Sequence, residues 1–214
     1  MSARREAILR ASAKAIAERG IRGLRVHDVA EVAGVSPGLL YYHFKDRIGL
    51  LEAALIHIND RARDYRSASD VPADSARDRL LHALLGEIQE RPDVVENSLA
   101  WNEVRACAVY EEALRGPLAR TTRAWVSEIA DAVSRAQAAG DVVATIDPHR
   151  SAVTMTALVE GLSGRWLCGE LSADEARALV LDAVGMVMPS PVRRPGPSVM
   201  SVTCSEIHTQ KEDR

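Results

Sequence analysis

Apolar residues recur at intervals of three and four almost from one end of this chain to the other, a period that suits helices and leaves no convincing strand and no repeat. Ile8, Ala11, Ala15 and Ile16 share one face of a first helix, which Gly20 stops. Two short helical pieces follow at 26–33 and 37–43. A long helix begins after Asp46, a candidate N-cap, with Ile48, Leu51, Leu55 and Ile58 as its stripe. The stretch 67–75, SASDVPADS, is a loop by composition. Leu80, Leu81, Leu84, Leu85 and Ile88 mark a further helix, which Arg91-Pro92-Asp93 ends. The next carries Val95, Leu99, Trp101 and Val104 and is expected to run to Gly116-Pro117. Pro117 is then expected in the first turn of a helix through Trp125, Ile129 and Val133 to Gly140. Asp147-Pro148 opens a helix of about 20 residues. Ser172 and Glu175 form a capping box for the last one, with Ala176, Leu179, Val180, Ala183, Val184 and Val187 as its apolar face. The expectation is an all-α protein of about nine helices.

No apolar run approaches the roughly 20 residues a membrane-spanning helix needs, and the N-terminus lacks the pattern of a signal peptide. A cytoplasmic setting is the expectation. Cys107, Cys168 and Cys204 are odd in number and far apart, so free thiols fit them better than a disulfide or a metal site. A net charge of −3 conceals an asymmetry. Residues 1–47 hold nine Lys/Arg against five Asp/Glu, while the remainder is acidic. A basic module on an acidic body suits a polyanion partner. There is no Gly-rich phosphate loop, no GxSxG elbow and no His/Cys/Asp cluster at ligand spacing, so neither an enzyme, a cofactor nor a metal is expected.

The stretch AGVSPGLLYYHFK, Ala33 to Lys45, places three of the chain's eight aromatic residues in four consecutive positions. Ala30, Ala33 and Gly34 are small enough to let two helices cross closely, with Val35 at the corner. Ser36 is a good N-cap, and Pro37 fits the first helical position, where its missing N–H costs nothing. Leu40 and Phe44, at i and i+4, share the buried side. Pro37, Gly38, Leu39, Tyr41, Tyr42 and His43 are left for the other surfaces. That is the layout of a helix-turn-helix, whose second helix offers its N-terminal residues to the DNA major groove.

The longer run GIRGLRVHDVAEVAGVSPGLLYYHFKDRIGLLEAAL, Gly20 to Leu55, resembles the DNA-binding domain of the TetR family of transcriptional regulators. The resemblance implies a helix-turn-helix domain at 1–47 and an effector-binding and dimerisation domain at 48–189; the stretch 190–214 loses all periodicity and is expected to be disordered. It places Pro37, Gly38, Leu39 and Tyr42 at base edges and Tyr41, His43 and Lys45 at phosphates, with Ser36 capping the helix and Arg25 and His27 flanking the second helix as further contacts. Leu39 stands where many members have Thr, and Arg25 where many have Thr or Ser. Leu39 can offer only apolar contact, for instance to a thymine methyl. The partners implied are a palindromic double-stranded operator, a second copy of the chain and a small-molecule effector, with repression as the expected outcome.

Small residues Ala152, Ala157, Gly161 and Gly164 suit close packing of the last two helices across a two-fold axis, and closing the protomer's own core is the other use for them. Tyr65 and the candidate pocket residues His82, Trp101, Cys107, Tyr110, Trp125 and Trp166 are equally open to core packing. The competing function is an all-helical small-molecule-binding protein without operator-specific DNA binding.

Overall fold

The computed structural model describes residues 3–67 and 74–191; all but the first two residues of the expected tail and most of the 67–75 loop lie outside them. Within the described residues the chain forms nine α-helices and no strand. They are α1 (Ala3–Arg19), α2 (Val26–Val32), α3 (Pro37–Phe44), α4 (Arg47–Ser67), α5 (Ala76–Leu85), α6 (Pro92–Ala108), α7 (Glu112–Ala138), α8 (Pro148–Leu167) and α9 (Ala173–Val187). No helix among them is long and apolar enough to cross a membrane.

Local chemistry sets most boundaries. Pro37, Pro92 and Pro148 each stand in the first turn of a helix. Ser36, Asp147 and Ser172 cap α3, α8 and α9 by accepting the backbone N–H three residues on. A second capping box, Ser75 with Asp78, starts α5, and α5 closes at Leu85, leaving Ile88 buried just beyond it. Asp46 accepts the Gly49 N–H at 2.8 Å to begin α4. A Cβ at Gly49 would lie 2.3 Å from the Phe44 carbonyl oxygen, so only glycine lets α4 pass this close to the end of α3.

The expected break at Gly116-Pro117 falls instead at residues 109–111, and both lie inside α7. Arg115 explains the shift. Its Nε and Nη2 donate to the carbonyls of Ala108 (3.1 Å) and Val109 (3.0 Å), satisfying the end of α6 from the first turn of α7. Pro117 then removes one backbone donor early in α7, opposite Ala113 at the surface, where water can serve the freed carbonyl.

Two cores divide the protein. The first joins α1, α2, α3 and the front of α4 to Ala100, Val104 and Ala108 of α6. The second joins α5, α7, α8 and α9. The three N-terminal helices thus share apolar packing with α6, and a small separate cluster of Ala62, Tyr65 and Val94 joins the far end of α4 to α6.

His57 on α4 is buried beside α1, with Nε2 lacking a partner. Burial lowers its pKa below 6.5, helped by Arg61 and Arg10 and opposed by Glu6 and Asp60. A depressed folded-state value means that stability present above pH 6.5 is lost as pH falls. The melting temperature is therefore expected to drop between pH 7.5 and 5.5, and His57→Gln to flatten that drop in a thermal scan.

Candidate nucleic-acid interface and ligand cavity

The short helix α3 is held by its inner face. Leu40 is fully buried and Phe44 nearly so, with the Arg5 guanidinium 5.3 Å above the Phe44 ring. Gly34 at φ +66° makes the turn from α2, a conformation that favours glycine. The outer face carries Tyr42, 81% exposed, with Tyr41 beside it. The His43 ring packs edge-on against Tyr42 at 5.5 Å. Lys45 ends the helix in a γ-turn (φ 62°, ψ −57°), across which the Asp46 N–H bonds the Phe44 carbonyl at 2.7 Å.

Of the ten residues expected to touch DNA, Arg25, His27, Ser36, Pro37, Gly38, Tyr41, Tyr42 and Lys45 are exposed, and Leu39 and His43 half-buried. Arg25 occupies the N-cap position of α2 but makes no side-chain cap bond.

Behind this module, α4, α6, α7 and α8 enclose a cavity with about 430 Å³ of empty space including its mouth. Its walls are Asn59, Ala62 and Arg66 of α4, Glu87, and Asn97, Ser98, Trp101 and Asn102 of α6. Trp125 of α7 and Val159, Glu160 and Ser163 of α8 complete them. Arg66 anchors one wall, its side chain 2% exposed. It donates to Glu87 at 2.5 Å and Glu128 at 2.9 Å, and lies 5.8 Å from the centre of the Trp125 ring. Asn97 donates to the Tyr65 hydroxyl (3.2 Å), which donates to Glu87 (3.0 Å). Across the cavity Arg105 pairs with Glu160 and sits 5.8 Å over Trp101.

Burial pushes the Glu87 and Glu160 carboxyls above the usual carboxylate range, against the pull of Arg66 and Arg105 respectively. Burial and then Glu87 raise the Tyr65 hydroxyl, which stays a neutral donor. For Arg66 the desolvation that lowers its pKa is outweighed by Glu87 and Glu128.

Of the expected pocket residues only Trp101 and Trp125 line this cavity. Tyr65 stands one layer behind it through Glu87 and Asn97. Tyr110 is 82% exposed at the α6–α7 corner, and Trp166 packs against the second core. His82 is half-buried on α5 and is not part of the wall. Cys107 points the other way, toward the N-terminal helices. The cause is helix geometry: at 100° per residue, Trp101 and Glu103 face opposite sides of α6. Glu103 accepts the Ile21 N–H at 2.9 Å and the Cys107 thiol at 3.4 Å. Arg47 at the head of α4 donates to the carbonyl of the same Ile21 at 2.6 Å. Ile21 in the α1–α2 turn is thus gripped from both sides, its N–H by α6 and its carbonyl by α4. The cavity's polar residues gave a sequence signal that periodicity alone passes over: Asn59, Arg66 and Asn97 interrupt otherwise apolar stripes.

Residues 8–54 match the family described as bacterial regulatory proteins, tetR family, and residues 75–189 match the BetI-type transcriptional repressor C-terminal domain. The HTH-type transcriptional regulator TtgR of Pseudomonas putida is 27% identical over 173 residues, 76% of this chain and 80% of that protein. The regulator BetI of Escherichia coli is 28% identical over 186 residues, 83% and 89% of the two chains. A TetR-family regulator from Rhodococcus sp. superposes with a TM-score of 0.84 at 74% identity, covering 88% of this chain and all of the other. A transcriptional regulator from Saccharomonospora viridis in complex with choline shares the fold, with a TM-score of 0.71, 24% identity and coverage of 86% and 96%.

Proposed function

The chain belongs to the TetR family of transcriptional regulators, and from that premise we propose that it binds a palindromic operator as a homodimer, represses, and is released by a small-molecule effector held between α4 and α8. The observation that carries the DNA-binding half is the division of α3. Leu40 and Phe44 fasten it to the first core, while Tyr41, Tyr42 and Lys45 stand free on the opposite face. Tyr41, His43 and Lys45 suit phosphate oxygens as donors and charge, and Tyr42 suits a base edge. Pro37, Gly38 and Leu39 bring backbone and apolar surface to the bases, while Arg25 and His27 reach the flanking backbone.

Support for the dimer comes from the outer face of α8 and α9. Val153, Leu179, Leu181 and Met186 are exposed there; the periodicity put Leu179 on one apolar face with Val180 and Val184, which are buried. Ala157 is exposed, and a Cβ at Gly161 or Gly185 would meet nothing within 4 Å. Ala152, expected at the same face, is fully buried in the protomer's own core. Four such helices about a two-fold axis make an isologous bundle.

Effector and operator are linked through α6 and α4. Trp101 and Asn102 face the cavity while Glu103, next in sequence, holds the α1–α2 turn, and α4 carries Arg66 at one end and Arg47 at the other. An effector that favours one dimer geometry shifts recognition-helix spacing only by its differential affinity for the two states.

The test is operator binding by fluorescence anisotropy at two salt concentrations, on the native chain and on Tyr42→Phe. Affinity for a palindrome from the DNA beside the gene should fall as salt rises. Losing the Tyr42 hydroxyl should cost about 1–3 kcal/mol of discrimination against a mutated half-site. Full discrimination by Tyr42→Phe would remove that residue from base reading. Ligand binding without any operator preference would favour an all-helical small-molecule carrier instead.

A further inference from the structure

Three residues that line the effector cavity, on the reading just given, each carry a buried polar atom without a hydrogen-bond partner. The atoms are Arg66 Nε, Trp125 Nε1 and Asn97 Oδ1, on residues each at least 95% buried. Two are donors and one is an acceptor. A buried polar group left unpaired is costly, so such a set describes what its occupant must offer.

Charge narrows the choice. Arg66 is already held by Glu87 and Glu128, Glu128 also faces Arg63, and Arg105 is held by Glu160. The buried Arg66 and the half-buried Arg105 are thus already matched by Glu87, Glu128 and Glu160. A fully charged ligand, of either sign, would have to displace one partner of a desolvated pair.

A hydroxyl group has the required complement, since its oxygen accepts two hydrogen bonds and its proton donates one. The remaining polar wall has the same two-sided character: Asn59, Asn102, Ser98 and Ser163 all carry groups that both donate and accept. The indole rings of Trp101 and Trp125 supply apolar faces for C–H groups between hydroxyls.

We propose that the effector is a small, uncharged, hydroxyl-bearing compound. It accepts hydrogen bonds from Arg66 Nε and Trp125 Nε1 and donates to Asn97 Oδ1.

The test uses the purified full chain with meso-erythritol, D-xylose, D-glucose and myo-inositol as neutral probes, choline as a cation and succinate as a dianion. Thermal shift and operator anisotropy are read in parallel, with the Trp125 indole N–H followed by NMR. At least one neutral probe should raise the melting temperature, weaken operator binding and move the Trp125 resonance. Trp125→Phe, which keeps an aromatic ring but not the donor, should weaken that probe's binding about tenfold. If Trp125→Phe does not fold, the indole resonance in the native chain still decides. Release of the operator by choline or succinate, with no response to the neutral probes, would overturn the ligand class while leaving the regulator reading intact. A chain that binds a neutral probe but no operator would sink the regulator reading alone. No response to any neutral probe overturns the proposal, leaving the three atoms to solvent water.

Discussion

Phe44→Ala is expected to abolish operator binding while the helical body stays folded. Phe44 is the chain's single phenylalanine and one of two side chains fastening α3 to the first core. Truncating a buried phenylalanine costs about 3–5 kcal/mol, and the Arg5 contact on the ring adds about 0.5–1 kcal/mol. A helix of eight residues has little stability of its own to offset such a loss. The second core, around α5, α7, α8 and α9, does not include Phe44 and should survive. Hydrogen exchange would show the effect as lost protection at Leu40 and Lys45, whose amides close α3, with α8 and α9 unchanged. Equal loss of protection in both cores would contradict the view that α3 depends on its own two anchors.

Glu87→Ala should produce the second large effect. Arg66 would keep only Glu128, and the Tyr65 hydroxyl would lose its acceptor in a buried site. Removing one partner of a buried ion pair costs about 3–5 kcal/mol, because the surviving charge stays desolvated. The double variant Arg66→Met/Glu87→Leu should recover much of that loss, since a buried pair replaced by apolar groups is often near neutral. Urea denaturation of Arg66→Met, of Glu87→Leu and of the double variant completes the cycle. A cost below about 1 kcal/mol for Glu87→Ala would mean that water reaches Arg66 and that the cavity wall is not the closed network described.

Helix starts were legible because their causes are local. Ser36 with Pro37, Asp147 with Pro148 and Ser172 with Glu175 each act within one turn, and the structure has all three. The α6–α7 break was not legible, because it depends on Arg115 reaching back to Ala108 and Val109 while a proline and a glycine argue for a later position. The recognition helix could be read because Leu40 and Phe44 at i, i+4 leave the tyrosines one surface only.

The cavity resisted for a different reason. Aromatic residues drew attention, and two of them, Trp101 and Trp125, line it. Its polar chemistry rests on Asn59, Arg66, Glu87 and Asn97, from α4, the segment after α5, and α6. Nothing in local spacing says that these would meet. Glu103 is only two residues beyond Trp101, yet a rotation of 200° sends it to Ile21 in the α1–α2 turn.

The central claim is that two copies of this chain present two α3 helices to one palindromic site. Stoichiometric titration of a labelled operator, followed by sedimentation of the complex, tests it most directly. The account predicts two chains per palindrome, with affinity collapsing when the half-sites are moved apart by half a helical turn, about 5 base pairs. One chain per site, or binding indifferent to that spacing, would contradict it.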